Sequence, residues 1–147
     1  MSKVKTPKKS NKISKPVSSI GGGCPQTPAF SFAHMTTNKS YTLDNFKDES
    51  IRRVTAGNIL NRLIEICQKD WKHWFSLSKE SGAETISYNQ VSITPSGKAL
   101  TPDVKLIVFR LKGHAGKNAR MIGFREEACP IFYVIGFDFD FSAYDHG

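Results

Sequence analysis

Arg110, Lys112, Lys117, Arg120 and Arg125 are spread along a stretch of apolar runs, and the chain then ends in Tyr144, Asp145, His146 and Gly147. An arginine fork donates two hydrogen bonds to a phosphate and stays charged at any physiological pH. A histidine gives or takes a proton near neutrality, and a tyrosine positions a hydroxyl. Together these side chains suit phosphodiester chemistry, with Lys105 and Lys117 as additional contacts to an RNA backbone. The plain alternative for the basic residues is a charged, solvated sheet edge. For His146, next to last in the sequence, it is a terminal residue with no role.

Asp138, Asp140 and Asp145 raise a metal alternative. Asp138 and Asp140 share a strand face, so both carboxylates would bind a divalent ion, supplemented by Glu126 or His146. No nuclease signature accompanies them, and they are read as strand-end turn formers, so no metal or other cofactor is expected. Two glycine motifs, 113–117 and 96–98, lack the G-x-x-x-x-G-K-[ST] spacing of a phosphate loop and are read as turns.

The elements that must position these groups follow from hydrophobic periodicity. Apolar runs at 104–111, 120–125 and 131–139, separated by turn-like segments, predict a three-stranded antiparallel meander. Alternation places Arg110 and Lys112 on the face opposite Phe109 and Leu111. A turn over 113–118 would return Arg120 near Lys112, while Arg125, of opposite parity to Arg120, faces away unless a bulge intervenes. Upstream, Phe30 and Phe32 suggest a short strand that Tyr41, Thr42 and Leu43 extend or pair with. Asp48 or Ser50 then caps a helix whose inner positions are Ile51, Val54, Leu60, Leu63, Ile64 and Cys67, with Arg52, Arg53, Asn61, Arg62, Glu65 and Lys69 toward solvent. Asp70 caps a second, short helix that ends at Gly82, and its Trp71, Trp74 and Phe75 read as core. The polar stretch 87–102 reads as a loop or ragged strand. The expected fold class is α+β, with short N-terminal strands, two helices and a three-stranded antiparallel meander, the helices packed on one sheet face. The other face is then left available for a ligand.

Of a formal net charge of +8, six charges sit on Lys3, Lys5, Lys8, Lys9, Lys12 and Lys15, a stretch with no acid and almost no large apolar side chain. Residues 1–25 are therefore expected to be a disordered basic tail and Gly-rich linker, and residues 26–147 a single domain of net charge +2. The tail either adds salt-sensitive affinity for RNA or ribosomes or simply solubilises the chain. No run of about 18 apolar residues predicts a membrane span, and the Lys-rich start is not followed by an apolar signal segment. Cys24, Cys67 and Cys129 form no C-x-x-C pair and read as reduced thiols of a cytoplasmic protein.

The succession VFRLKG, ARMIGFR and IFYVIGFDFDFSAYDH resembles the RelE/ParE toxin superfamily, chiefly its RelE-like mRNA-cleaving branch, with element order similar from Phe30 to His146. The resemblance implies a small metal-independent endoribonuclease that cleaves mRNA, often on the ribosome, and is neutralised by an antitoxin. It implies catalytic roles for Arg110 and Lys112 on the first meander strand and for Arg120 or Arg125 as the phosphate grip. It likewise implies a role for the C-terminal Tyr144, with His146 as an acid or base nearby. The competing readings are a non-catalytic RNA- or ribosome-binding module and a protein-binding module of a phage or defence system that uses an aromatic sheet face.

Overall fold

The structure, a computed structural model, describes residues 26–145; the basic tail, Cys24 and His146 lie outside the described residues. The fold is α+β, with two helices and one five-stranded mixed sheet. The meander forms as the sequence predicts, from β3 (Lys105–Lys112), β4 (Asn118–Phe124) and β5 (Ile131–Asp138), each antiparallel to the next. It is extended on both sides. β2 (Ala83–Ser87) adds antiparallel to β3, and the three-residue β1 (Ala29–Ser31) adds parallel to β5, giving the order β1-β5-β4-β3-β2. One expectation is corrected and one strand was not foreseen. Tyr41 and Leu43 lie in two 3-10 turns, Lys39–Tyr41 and Leu43–Asn45, with Thr42 capping both between them, rather than in a strand beside β1. The AETIS sequence of β2, too polar to read as a strand, pairs because β3 offers it a complete edge of backbone groups.

Helix α1 spans Glu49–Ile66 and α2 Trp71–Ser76. Asp48 caps α1 by accepting from the amides of Ser50 and Ile51, and Asp70 caps α2 by accepting from that of His73. Both tryptophans are core, packing on Phe109 and Phe132, and the indole N–H of Trp74 donates to the Ile66 carbonyl at 2.8 Å. The inner face of α1 differs from the one expected. Thr55, Ile59 and Ile66 are buried, whereas Val54, Leu60 and Ile64 are more than half exposed and Arg62 is largely covered. Gly82 does not end α2. A Cβ there would stand 2.2 Å from the Trp74 carbonyl oxygen, so glycine serves close packing of the chain that returns into β2.

The helices and their cluster, Ile107, Phe109, Met121, Phe132 and Val134 among them, occupy one sheet face. The other face is not open, contrary to expectation. A second cluster of Leu106, Val108, Ile122, Phe124 and Ile135 lies there beneath Tyr41, Ile93 and Ala143. The polar stretch after β2 supplies Ile93 as its plug and binds the C-terminal segment through Ser92 N–H to the Ala143 carbonyl at 2.7 Å. Burying each such large apolar side chain contributes about 1.5–3 kcal/mol, which offsets the entropy of ordering an otherwise polar loop. Among the described residues no helix is long and apolar enough to cross a membrane.

Candidate functional site

Register determines what stands at the hairpin end of the sheet. β2 begins at Ala83 opposite Phe109, so residues 110–112 of β3 run past it with their outer edge unpaired. Two side chains one turn apart on α1 take over that edge. Arg62 donates from Nε to the Arg110 carbonyl at 3.0 Å, and Asn58 donates to the Gly113 carbonyl at 3.1 Å. Arg62 also reaches the Ser81 carbonyl, pairs with Glu65 and lies over the Trp74 ring, so its donors are committed to the scaffold.

On the face away from the helices, Arg110 of β3 stands directly opposite Arg120 of β4, and Arg120 directly opposite Asp138 of β5. Lys112, expected beside Arg120, instead pairs with Asn118. The Asp138 position depends on an irregularity. Gly123 pairs with Val134 but Ile122 with Gly136, so Ile135 is an extra residue in β5. Its carbonyl accepts from the Thr36 amide at 2.8 Å. The extra residue reverses the alternation, and Asp138 is thereby turned to the arginine side.

Asp138 is fully buried and organises the end of the chain by accepting from the amides of Ser142 and Ala143. Burial pushes its carboxyl above the usual carboxylate range, against the pull of those two amides, while the Ser142 hydroxyl holds the neighbouring Asp140 below it. The turn so fixed brings Phe141 and Tyr144 onto Arg120, whose guanidinium carbon lies 4.8 Å from one ring centroid and 5.3 Å from the other. Phe141 adopts φ +61°, a left-handed conformation costly for an aromatic residue and tolerated here within an anchored turn. The Tyr144 hydroxyl donates to Glu84 of β2 at 2.9 Å. Burial first, and the Glu84 carboxylate second, raise the phenol well above an ordinary tyrosine, so it stays protonated and is a donor rather than a base.

Of these groups Arg120 and Phe141, but not Tyr144, Glu84 or Asp138, line a cleft of about 650 Å³ between α1, the Glu80–Ser81 turn and the ends of β3 and β4. Four cationic side chains (Arg62, Arg110, Lys112, Arg120) face two anionic ones (Glu65, Glu80) in its lining, with Asn58, Asn61 and Asn118 between them. Glu80 lies 3.8 Å from Arg110 and is itself exposed, which makes a weak and displaceable pair. The Arg110 Nε is shut off from solvent with no hydrogen-bond acceptor among the described residues.

The structure thus gathers Arg110, Lys112, Arg120 and Tyr144. It does not gather the rest. Arg125 lies just beyond β4, stacked 4.6 Å over Trp71 and donating to the Cys129 carbonyl, and burial lowers its pKa. Lys105, at the far end of β3, donates to Ser87, and Lys117 sits in the hairpin turn. Asp138 and Asp140 stay together, the first buried and the second exposed, both accepting from the Ser142 amide, but Glu126 pairs with Lys98 instead of joining them. Among the described residues no group of three or more His, Cys, Asp or Glu side chains is placed to hold a metal ion. Sequence reasoning missed Glu80, Glu84 and Phe141, which no motif marks and which only β2 pairing and the C-terminal turn bring to the site. Comparison with protein-family models, with curated proteins and with solved structures finds no match to this chain.

Proposed function

We propose that the cleft binds the phosphodiester backbone of RNA and cleaves it, as a RelE-like toxin neutralised by a protein antitoxin would. The observation that carries the reading is the cross-strand pair Arg110 and Arg120. Like charges directly opposite in a sheet destabilise it. Here a phosphate beside the pair would offset that repulsion, and the loose, exposed Glu80 leaves Arg110 able to exchange it for such a ligand. In the reaction the 2′-oxygen bonds to the adjacent phosphorus, the bond to the 5′-oxygen breaks, and a 2′,3′-cyclic phosphate and a 5′-hydroxyl result. Arg110, Arg120 and Lys112 stabilise the charge that develops on the phosphoryl oxygens. Tyr144 acts through Arg120, which its ring holds in place. His146, two residues further on, is the proposed proton carrier.

One observation favours binding without cutting. The Tyr144 hydroxyl is already given to Glu84, and no imidazole lines the cleft among the described residues. A single experiment separates the two. RNA is incubated with the protein in EDTA, with and without ribosomes, and its ends are analysed. Cyclic ends that vanish in Arg110→Ala and Arg120→Ala support the nuclease. Salt-dependent binding without new ends supports the binding module, and neither binding nor cleavage refutes both.

A further inference from the structure

Beside the cationic cleft lies a smaller hollow, of about 180 Å³, and Asn118 forms a wall of both. Its other walls are aromatic. The Phe46 ring meets Phe139 edge-on at 4.8 Å and His114 edge-on at 5.5 Å, and all three are only partly buried. Asn45, Lys117 and Asp140 stand at the rim with their polar ends exposed.

We infer that this hollow is a nucleobase subsite, which takes the base attached to the phosphate held by Arg110 and Arg120. The inference rests on the RNA reading of the cleft and adds to it a place where a base is gripped. Three features favour a base over ordinary turn packing. The space admits one aromatic ring system, and rings rather than aliphatic side chains form its apolar walls. Its rim offers amide and carboxylate groups able to bond a base edge. Its walls are also held in advance of any ligand. The turn carrying His114 is closed by Gly113 N–H to the Lys117 carbonyl at 2.7 Å and tied to α1 through Asn58, with Ala115 and Gly116 both left-handed at its tip. Phe46 is tied to the same helix, its carbonyl accepting from Arg52 at 2.8 Å. A site fixed in this way spends little ordering entropy on binding.

The test uses fluorescein-labelled single-stranded RNA hexamers, intact or with one base removed at each position in turn, titrated with the full chain at two salt concentrations. For the wild type, loss of the base at one position should weaken binding about tenfold, the effect of a single aromatic stack. His114→Ala and Phe46→Leu should cut that penalty to about twofold or less while leaving the salt slope intact, and His114→Phe should retain it. An unchanged penalty in both truncating variants, or no position with a penalty in the wild type, overturns the subsite while salt-dependent binding still upholds the phosphate cleft. No salt-dependent binding by the wild type overturns both.

Discussion

Replacing Tyr144 by phenylalanine removes one oxygen and tests how the site is held. The ring remains on Arg120, so the cation–π contact survives, but the 2.9 Å hydrogen bond to Glu84 is lost. A hydrogen bond to a charged acceptor contributes about 1.5–3 kcal/mol, and the lower end applies because Glu84 is only partly buried and water replaces the phenol in part. A loss of about 1.5 kcal/mol in a domain of this size lowers Tm by roughly 5–9 °C. The pH dependence supplies an independent check. The folded-state pKa of Tyr144 is raised above the ordinary tyrosine value, so its contribution to stability is fully present below about pH 10 and is lost as pH climbs through the raised value. Wild type and Tyr144→Phe should therefore differ by a constant amount from neutral pH to about pH 9.5 and converge above it. Urea titrations followed by circular dichroism across pH 7–11 measure this directly. Equal stabilities at neutral pH, or a gap that widens in alkali, would refute the assignment of the Tyr144 hydroxyl to Glu84.

Further outcomes follow from other parts of the fold. Asp138→Ala strips two backbone amides of a buried acceptor and should cost about 2–4 kcal/mol in denaturant unfolding. Because burial raises the Asp138 pKa, its own titration should erode wild-type stability as pH rises through that value, and the Ala variant should lack this component. Gly123→Ala places a Cβ 2.2 Å from the Tyr133 carbonyl oxygen and against the Phe132 ring, so a loss of about 3 kcal/mol or outright failure to fold is expected by thermal melts. Arg125→Ala should lower stability by about 1 kcal/mol through lost packing on Trp71 yet leave the RNA binding constant unchanged. Arg110→Ala should instead reduce the salt slope of binding by about 0.7, one phosphate contact to a single strand.

The strands of the meander were legible in the sequence because their apolar residues are continuous and bounded by turn formers, and both helix caps were legible because an aspartate precedes each run. The faces of α1 were not. Apolar side chains occur around much of that helix, so periodicity alone favoured Val54, Leu60 and Ile64 over the buried Thr55, Ile59 and Ile66. The Arg110–Arg120 pairing was approached but missed by two residues, since the closed turn sets Lys112 against Asn118. Nothing in the string IFYVIGFD announces that Ile135 is an extra residue, because a bulge is set by what the chain packs against, here the Thr36 amide and the Ile93 and Tyr41 side chains. The covering of the second sheet face was hidden for a similar reason. It depends on single apolar residues such as Ile93, embedded in a stretch that is polar on average.

The stretch of β3 that outruns β2 has a meaning apart from ligand binding. A bare strand edge beside an apolar sheet invites a strand from another molecule to add to it, which is how soluble domains begin to polymerise. Arg62 and Asn58 occupy the carbonyls at Arg110 and Gly113 that such a strand would need. The two α1 side chains thus act as stoppers that end the sheet within one molecule, and the partly exposed Arg110 can stand just past β2 without turning that edge into a seed for aggregation.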